Sequence, residues 1–369
     1  MTATDALFKP FKFKNLTLPN RIVMAPMTRS KSPEQIPGAD VAAYYRTRVE
    51  GGVGLILTEG TVVEKSASND ANVPSFFGEK SLAGWAYVLK EVKAAGGNIM
   101  PQLWHQGIMR HQGSGPYPEV PSRSPSGLSK PDKKVAEPMT HKDIDEVIAA
   151  FASAARAAKD IGFDGVELHG AHGYLIDQFF WDGVNARDDH FGGSLPERTR
   201  FAADIVKAVR AATSPDFPIL LRFSQWKQQD FGVRLAHTPQ ELEGFLSPLA
   251  AAGVDMFHCS TRRFWEPEFP ETGSDMNLAG WTKKLSGVPT MTVGSVSLNE
   301  DFINAFRGKG AETNHGHFEG LAKMLERGDF DLVAVGRALI VNADWANKVR
   351  DGKLNELKPW TAEALQTLV

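Results

Sequence analysis

The chain has 369 residues, 42% of them hydrophobic, enough to bury a large core, and barrel folds of this length commonly run as one unit. A formal net charge of −3 and a pI near 6.4, with no long run of Lys or Arg, exclude a phosphate-backbone footprint, so no nucleic-acid partner is expected. The opening MTATDALFKPFKFKN lacks the apolar stretch of a secretory signal, and no window approaches the roughly 20 apolar residues of a bilayer span; a soluble, cytoplasmic protein without a membrane partner is expected.

From the amino terminus, short runs rich in Val, Ile and Leu recur at 21–27, 53–60, 98–105, 165–170, 218–224, 256–261, 289–294 and 332–337. Each is too short for a helix and nearly continuous in apolar character, the pattern of strands covered on both faces of a parallel sheet. Before the fourth run, Ile144, Val147, Ile148, Phe151, Ala155 and Ala158 recur at helical spacing, with Thr140 and Asp143 placed as a capping box and Gly162 as a stop. Weaker helical stripes occupy 82–95, 196–211, 239–252, 298–306 and 318–326, and Ser297 with Glu300 offers a second capping box. Strand-then-helix repeats about eight times, and no G-x-G-x-x-G follows the first strand; the expected fold is α/β, a parallel eight-stranded (β/α)8 TIM barrel with extended βα loops, over 1–369 as one domain. Two segments break the repeat: 106–139, rich in Gly, Pro and Ser, and 262–281, which carries Phe264, Trp265, Phe269 and Trp281. Both follow strands, so both are expected as lid or substrate-wall loops.

In such a barrel the site forms at the carboxyl ends of the strands. The first ends in Met24-Ala25-Pro26-Met27-Thr28, the second in Thr58-Glu59-Gly60, the third in Gln102-Leu103-Trp104-His105, and the fifth carries Arg222. Gly294-Ser295 and Gly336-Arg337 end the seventh and eighth, where barrels commonly hold a phosphate. His169, His172 and Tyr174 cluster at the end of the fourth. One histidine could instead be a core residue, or the pair could join His105 around a metal, although no H-E-x-x-H or paired acidic motif accompanies them. Cys259, the single cysteine, lies in the apolar MFHCST and reads as a core residue rather than a catalytic thiol; any redox chemistry then needs an organic cofactor.

Seven motifs together resemble the old yellow enzymes, flavin-containing ene-reductases that include morphinone, pentaerythritol tetranitrate and xenobiotic reductases: NRIVMAPMTRS (20–30), LTEGT (57–61), PQLWHQG (101–107), GFDGVELHGAHGYLIDQFF (162–180), GGSLPERTRF (192–201), LRFS (221–224) and VAVGRALI (333–340). The resemblance implies noncovalent FMN, with Ala25, Pro26, Met27, Thr28, Gly60, Gln102, His169 and Arg222 around the flavin ring and Gly294, Ser295, Gly336 and Arg337 at its phosphate. It implies NADPH or NADH as reductant and a small-molecule enone or nitro compound as substrate, bound by Thr28, Trp104, His169, His172 and Tyr174 in a ping-pong cycle. His169 and His172 would hold the substrate oxygen and Tyr174 would protonate the α-carbon; no metal is implied. The tail KPWTAEALQTLV and the LRFSQWKQQDF segment depart from well-known members, which leaves Trp360 as the candidate roof of the flavin. Two rivals are a metal-dependent barrel hydrolase or lyase using His105, His169 and His172, and a flavin-binding protein without turnover.

Overall fold

A computed structural model describes residues 4–301, 310–314 and 316–368. Eight strands, β1 (Ile22–Met24), β2 (Leu55–Val62), β3 (Ile99–Trp104), β4 (Val166–His172), β5 (Ile219–Lys227), β6 (Met256–Ser260), β7 (Thr290–Val293) and β8 (Leu332–Val335), pair in parallel in chain order. β8 pairs with β1, Val333 opposite Ile22, and the sheet closes on itself as a TIM barrel. Their near-continuous apolar character follows from burial on both faces, since helices cover the outside and side chains fill the inside.

Alternation along each strand separates the two populations. Val23, Leu55, Leu57, Met100, Leu220, Met256, Met291, Leu332 and Ala334 form an inner cluster that also takes in Phe13, Leu16 and Leu18. Those last three belong to an antiparallel hairpin, Phe11–Phe13 with Leu16–Leu18, whose apolar side plugs the end of the barrel away from the site. The outward residues pack beneath helices α1 (Ala39–Glu50), α2 (Glu79–Ala94), α3 (His141–Ile161), α4 (Leu175–Phe180), α5 (Arg200–Ala212), α6 (Pro239–Ala252), α7 (Leu278–Ser286), α8 (Phe318–Arg327), α9 (Arg337–Val341) and α10 (Trp345–Arg350). No described helix is long and apolar enough to cross a membrane.

The capping box of α3 forms: Thr140 Oγ1 accepts from the Asp143 amide at 3.2 Å and Asp143 Oδ2 accepts from the Thr140 amide at 2.7 Å. Gly162, at φ 108°, ends the helix in the left-handed conformation that glycine adopts without steric cost. α1 carries no legible apolar stripe because its buried face is built from Tyr44, Tyr45 and Arg48 as well as Val41 and Ala42. Arg48 is fully buried and donates to the carbonyls of Leu339 and Ile340 in α9, so a charged residue does an apolar residue's packing.

Four expectations change. A helix does not begin at 298: Leu298 bridges Thr313, Ser297 Oγ accepts from Trp345 Nε1, and 302–306 lie outside the described residues. β5 runs to Lys227, three residues beyond its expected end. α7 starts at Leu278, inside the segment expected as loop. The segment 106–139 is ordered by a hairpin, Leu128–Lys130 with Lys133–Lys134.

Candidate active site

A cleft of about 320 Å³ opens at the carboxyl ends of the strands. It is lined by Ala25, Pro26, Met27, Thr28, Gly60, Gln102, Trp104, His169, His172, Tyr174, Arg222, Gly294, Ser295, Gly336 and Arg337, so the residues singled out in the sequence converge on one space. Of the two long loops only Arg262 reaches this lining among the described residues.

Two strand irregularities make the convergence possible. In a regular strand His169 and His172, three apart, would point to opposite faces. β4 shifts register against β5 between Gly170 and His172, and His172 takes φ 66°, so both imidazoles face inward with ring centroids 5.1 Å apart. A left-handed backbone at a bulky residue is costly and persists where its surroundings hold it. Here the His172 amide donates to Ser224 Oγ at 2.9 Å and the His172 carbonyl accepts from the Gln228 amide at 3.2 Å. β2 shifts register between Leu57 and Gly60, which brings Gly60 to the inner face; a Cβ there would sit 3.0 Å from the Trp104 indole.

Both imidazoles are neutral at physiological pH: burial drives their pKa values well below 6.5, and the Arg222 charge pushes the same way. His169 Nδ1 accepts from the Ala171 amide at 3.3 Å, which leaves its Nε2–H for a ligand. His172 Nε2 lies 2.7 Å from Ser260 Oγ, and the Tyr174 ring meets His169 edge-on at 4.9 Å and Trp104 at 5.1 Å.

Below them runs a polar layer that the sequence reading missed. Gln102 Nε2 donates to Glu167 Oε1 at 2.8 Å, and His258 Nδ1 donates to Glu167 Oε2 at 2.7 Å, all three fully enclosed. The Gln102 amide is thereby fixed with its NH2 on Glu167 and its carbonyl oxygen left to accept. Alternation was the available signal: Glu167 lies two residues before His169, and His258 two before Ser260. Trp226, Gln228, Ser260, Arg262 and Leu365 also line the cleft. Trp226 and Gln228 continue the inward face of Arg222 and Ser224, and a strand ended at 224 hides them.

At the β7–β8 side, Gly294 at φ 135° brings its Cα so close to Thr261 O that a Cβ would lie 2.8 Å away. Arg337 donates to the carbonyls of Glu300 and Asp301 and lies over the Trp360 ring at 5.5 Å, its pKa brought down to about 10 by burial, so it stays charged. Trp360 therefore supports Arg337 from behind and does not line the cleft; the tail residue that does is Leu365. Arg29 Nη2 ties that tail down through the carbonyls of Ala364, at 2.9 Å, and Thr367, at 2.7 Å.

The donor set suits a flavin. Arg222 is 7% exposed, hydrogen-bonds Ser260 Oγ at 3.2 Å, and keeps a buried Nε without a partner. A buried cation in that state is costly until an electron-rich group meets it, and the pyrimidine edge of a flavin is one. His105 does not join His169 and His172 as the metal reading requires; its Nε2 turns to Glu64 and Ser66, at 3.0 and 3.1 Å.

The family model described as NADH:flavin oxidoreductase / NADH oxidase matches residues 6–356. The chain is 33% identical over 368 residues to an NADH oxidase of Thermoanaerobacter brockii, covering 97% of this chain and 52% of that one, so it spans about half that relative's length. Among solved structures it resembles morphinone reductase in complex with tetrahydroNAD, with TM-score 0.79, 26% identity and coverage of 97% and 93% of the two chains. It equally resembles the old yellow enzyme homologue of Zymomonas mobilis, with TM-score 0.79, 25% identity and coverage of 97% and 96%. A closed parallel barrel, a cleft whose buried arginine suits an electron-rich ring, and these matches together place the chain in the NADH:flavin oxidoreductase / NADH oxidase family, among the old yellow enzyme homologues, with FMN as its cofactor.

Proposed function

We propose that the protein reduces activated carbon-carbon double bonds of α,β-unsaturated carbonyl or nitro compounds with electrons from NADPH or NADH, in a ping-pong cycle within one FMN-binding barrel domain. The observation that carries this reading is the convergence of two neutral imidazoles and one phenol on a single cleft beside Arg222. FMN, when bound, would supply the two-electron redox chemistry that links nicotinamide oxidation to reduction of the double bond.

The chain's own residues do the rest. Ala25, Pro26, Met27, Thr28, Gly60, Gln102 and His169 would surround the ring, with Gln102 offering an acceptor and Arg222 a positive charge for the reduced form. Gly294, Ser295, Gly336 and Arg337 would hold the phosphate. His169 donates from Nε2 to the carbonyl or nitro oxygen of the substrate. His172 donates from the nitrogen that otherwise meets Ser260. Two donors aimed at an oxygen that gains charge stabilise the transition state more than the ground state. Tyr174 supplies the proton to the α-carbon, and Trp104 and Thr28 wall the substrate.

The test is an anaerobic absorption spectrum of the purified protein, followed on adding NADPH or NADH and then cyclohexenone. Flavin bands that bleach with the nicotinamide and return with the enone establish both half-reactions. A flavin that bleaches but returns only with oxygen rules out ene-reduction, and one that never bleaches marks a binding protein without turnover.

A further inference from the structure

The segment that follows Arg222 is built into the site. β5 continues to Lys227, whose fully buried Nζ donates to the equally buried Asp177 Oδ1 at 2.5 Å. Asp177 Oδ2 accepts from the Gly173 amide at 2.7 Å, so this outward ion pair locks the end of β5 to the loop carrying His172 and Tyr174. The next residue, Gln228, lies on the inward face. Its amide donates to the His172 carbonyl, and its side-chain Nε2 donates to the Tyr174 phenol oxygen at 3.1 Å. Gln229 Nε2 adds a bond to the Gly173 carbonyl at 2.9 Å.

Resting on the reading of Tyr174 as the acid, we propose that Gln228 is the positioning residue that makes Tyr174 a proton donor towards the cleft. Because the phenol oxygen accepts from Gln228, the phenol's own hydrogen is turned away from the protein wall and towards the substrate. In the transfer the Tyr174 O–H bond breaks and a C–H bond forms at the α-carbon, using the electron pair left there after hydride addition at the β-carbon. The pair remaining on the phenol oxygen is held by Gln228 Nε2–H until a solvent proton restores the phenol. Facing the phenol are His169, His172 and Arg222 as well as Gln228. Burial raises its pKa above 10.0, and the Gln228 donor and the Arg222 charge work against that rise.

The experiment uses the FMN-loaded enzyme and its Q228L, Q228E, Y174F and Q228L/Y174F variants, with the two half-reactions measured separately. In Q228L, oxidation of the reduced enzyme by cyclohexenone slows about tenfold relative to flavin reduction by NAD(P)H, the scale of one hydrogen bond. Oxidation by a quinone, protonated from water, does not show that loss. The Tyr174 titration, read by NMR on isotope-labelled tyrosine rings, moves upward. Q228E keeps the shape but offers an acceptor in place of the donor, and it loses the enone rate as well while retaining flavin. In the Y174F background, Q228L costs nothing further. If Y174F leaves the enone step intact, the acid reading itself falls. If Y174F slows that step while Q228L and Q228E do not, or if Q228L slows the Y174F enzyme equally, the assignment of Gln228 is overturned and that of Tyr174 stands.

Discussion

Glu59, in the LTEGT motif, offers a stability measurement that reaches into the site. Its side chain is 2% exposed, and Oε2 accepts from the amides of Arg29 at 2.9 Å and Ser30 at 3.2 Å, which fixes the turn carrying Thr28 into the cleft. Burial outweighs these two donors and the Arg29 charge and raises the carboxyl pKa from 4.5 to about 7. The native state thus holds this proton more tightly than the unfolded chain does. Below pH 4.5 the group is protonated in both states and its contribution is fully present; between pH 4.5 and about 7 only the unfolded chain ionises, and the contribution is lost as pH rises. That difference in pKa corresponds to about 3 kcal/mol. Glu59→Gln keeps an acceptor for both amides and cannot ionise. Urea unfolding of the two proteins at a series of pH values should show the wild type losing about 3 kcal/mol relative to the variant across this window, then running parallel above it. A difference that stays flat between pH 4.5 and 7 would refute the argument, because it would mean that Glu59 titrates alike in both states.

Three further outcomes are expected. Tyr174→Phe should slow oxidation by an enone by about 10²-fold or more while flavin reduction by NAD(P)H changes far less, as stopped-flow traces of each half-reaction will show; equal slowing would remove Tyr174 from the acid role. His169→Ala and His172→Ala should each weaken binding of a phenol, which mimics the developing oxyanion, by about tenfold or more in a flavin-band titration, and unchanged affinity in both would overturn the oxyanion assignment. Asp177→Asn leaves Lys227 buried beside a neutral amide, and should cost about 3–5 kcal/mol in chemical denaturation. Adding Lys227→Met should recover much of that loss, and a double variant no more stable than the single would show that the pair is not coupled.

The sequence by itself determined the barrel, because strands buried on both faces must be apolar almost throughout and eight such runs separated by helical stripes leave few alternatives. It also determined the residues at the strand ends, from Pro26 to Arg337, since barrel topology gathers all carboxyl ends at one mouth. Tertiary structure alone decided which of them face the cleft. The bulge between Gly170 and His172 puts His169 and His172 on the same side, against strict alternation, and no local signal in HGAHGY announces it. Likewise Glu167 and His258, far apart in sequence, meet only through β4 and β6, which sit on either side of β5 in the closed sheet. Arg48 in α1 and Lys227 in β5 are of residue types seldom found fully buried; each is buried because a carbonyl pair or a carboxylate from a distant segment compensates it. Trp360, expected over the flavin, packs behind Arg337 while Leu365 lines the cleft, for the same reason: which side of a tail meets the cleft depends on the partners that hold it, here Ala311 and Arg337 for Trp360 and Arg29 for the segment around Leu365. Periodicity is a local property of the chain, whereas burial of a polar group is set by partners brought from elsewhere in the sequence.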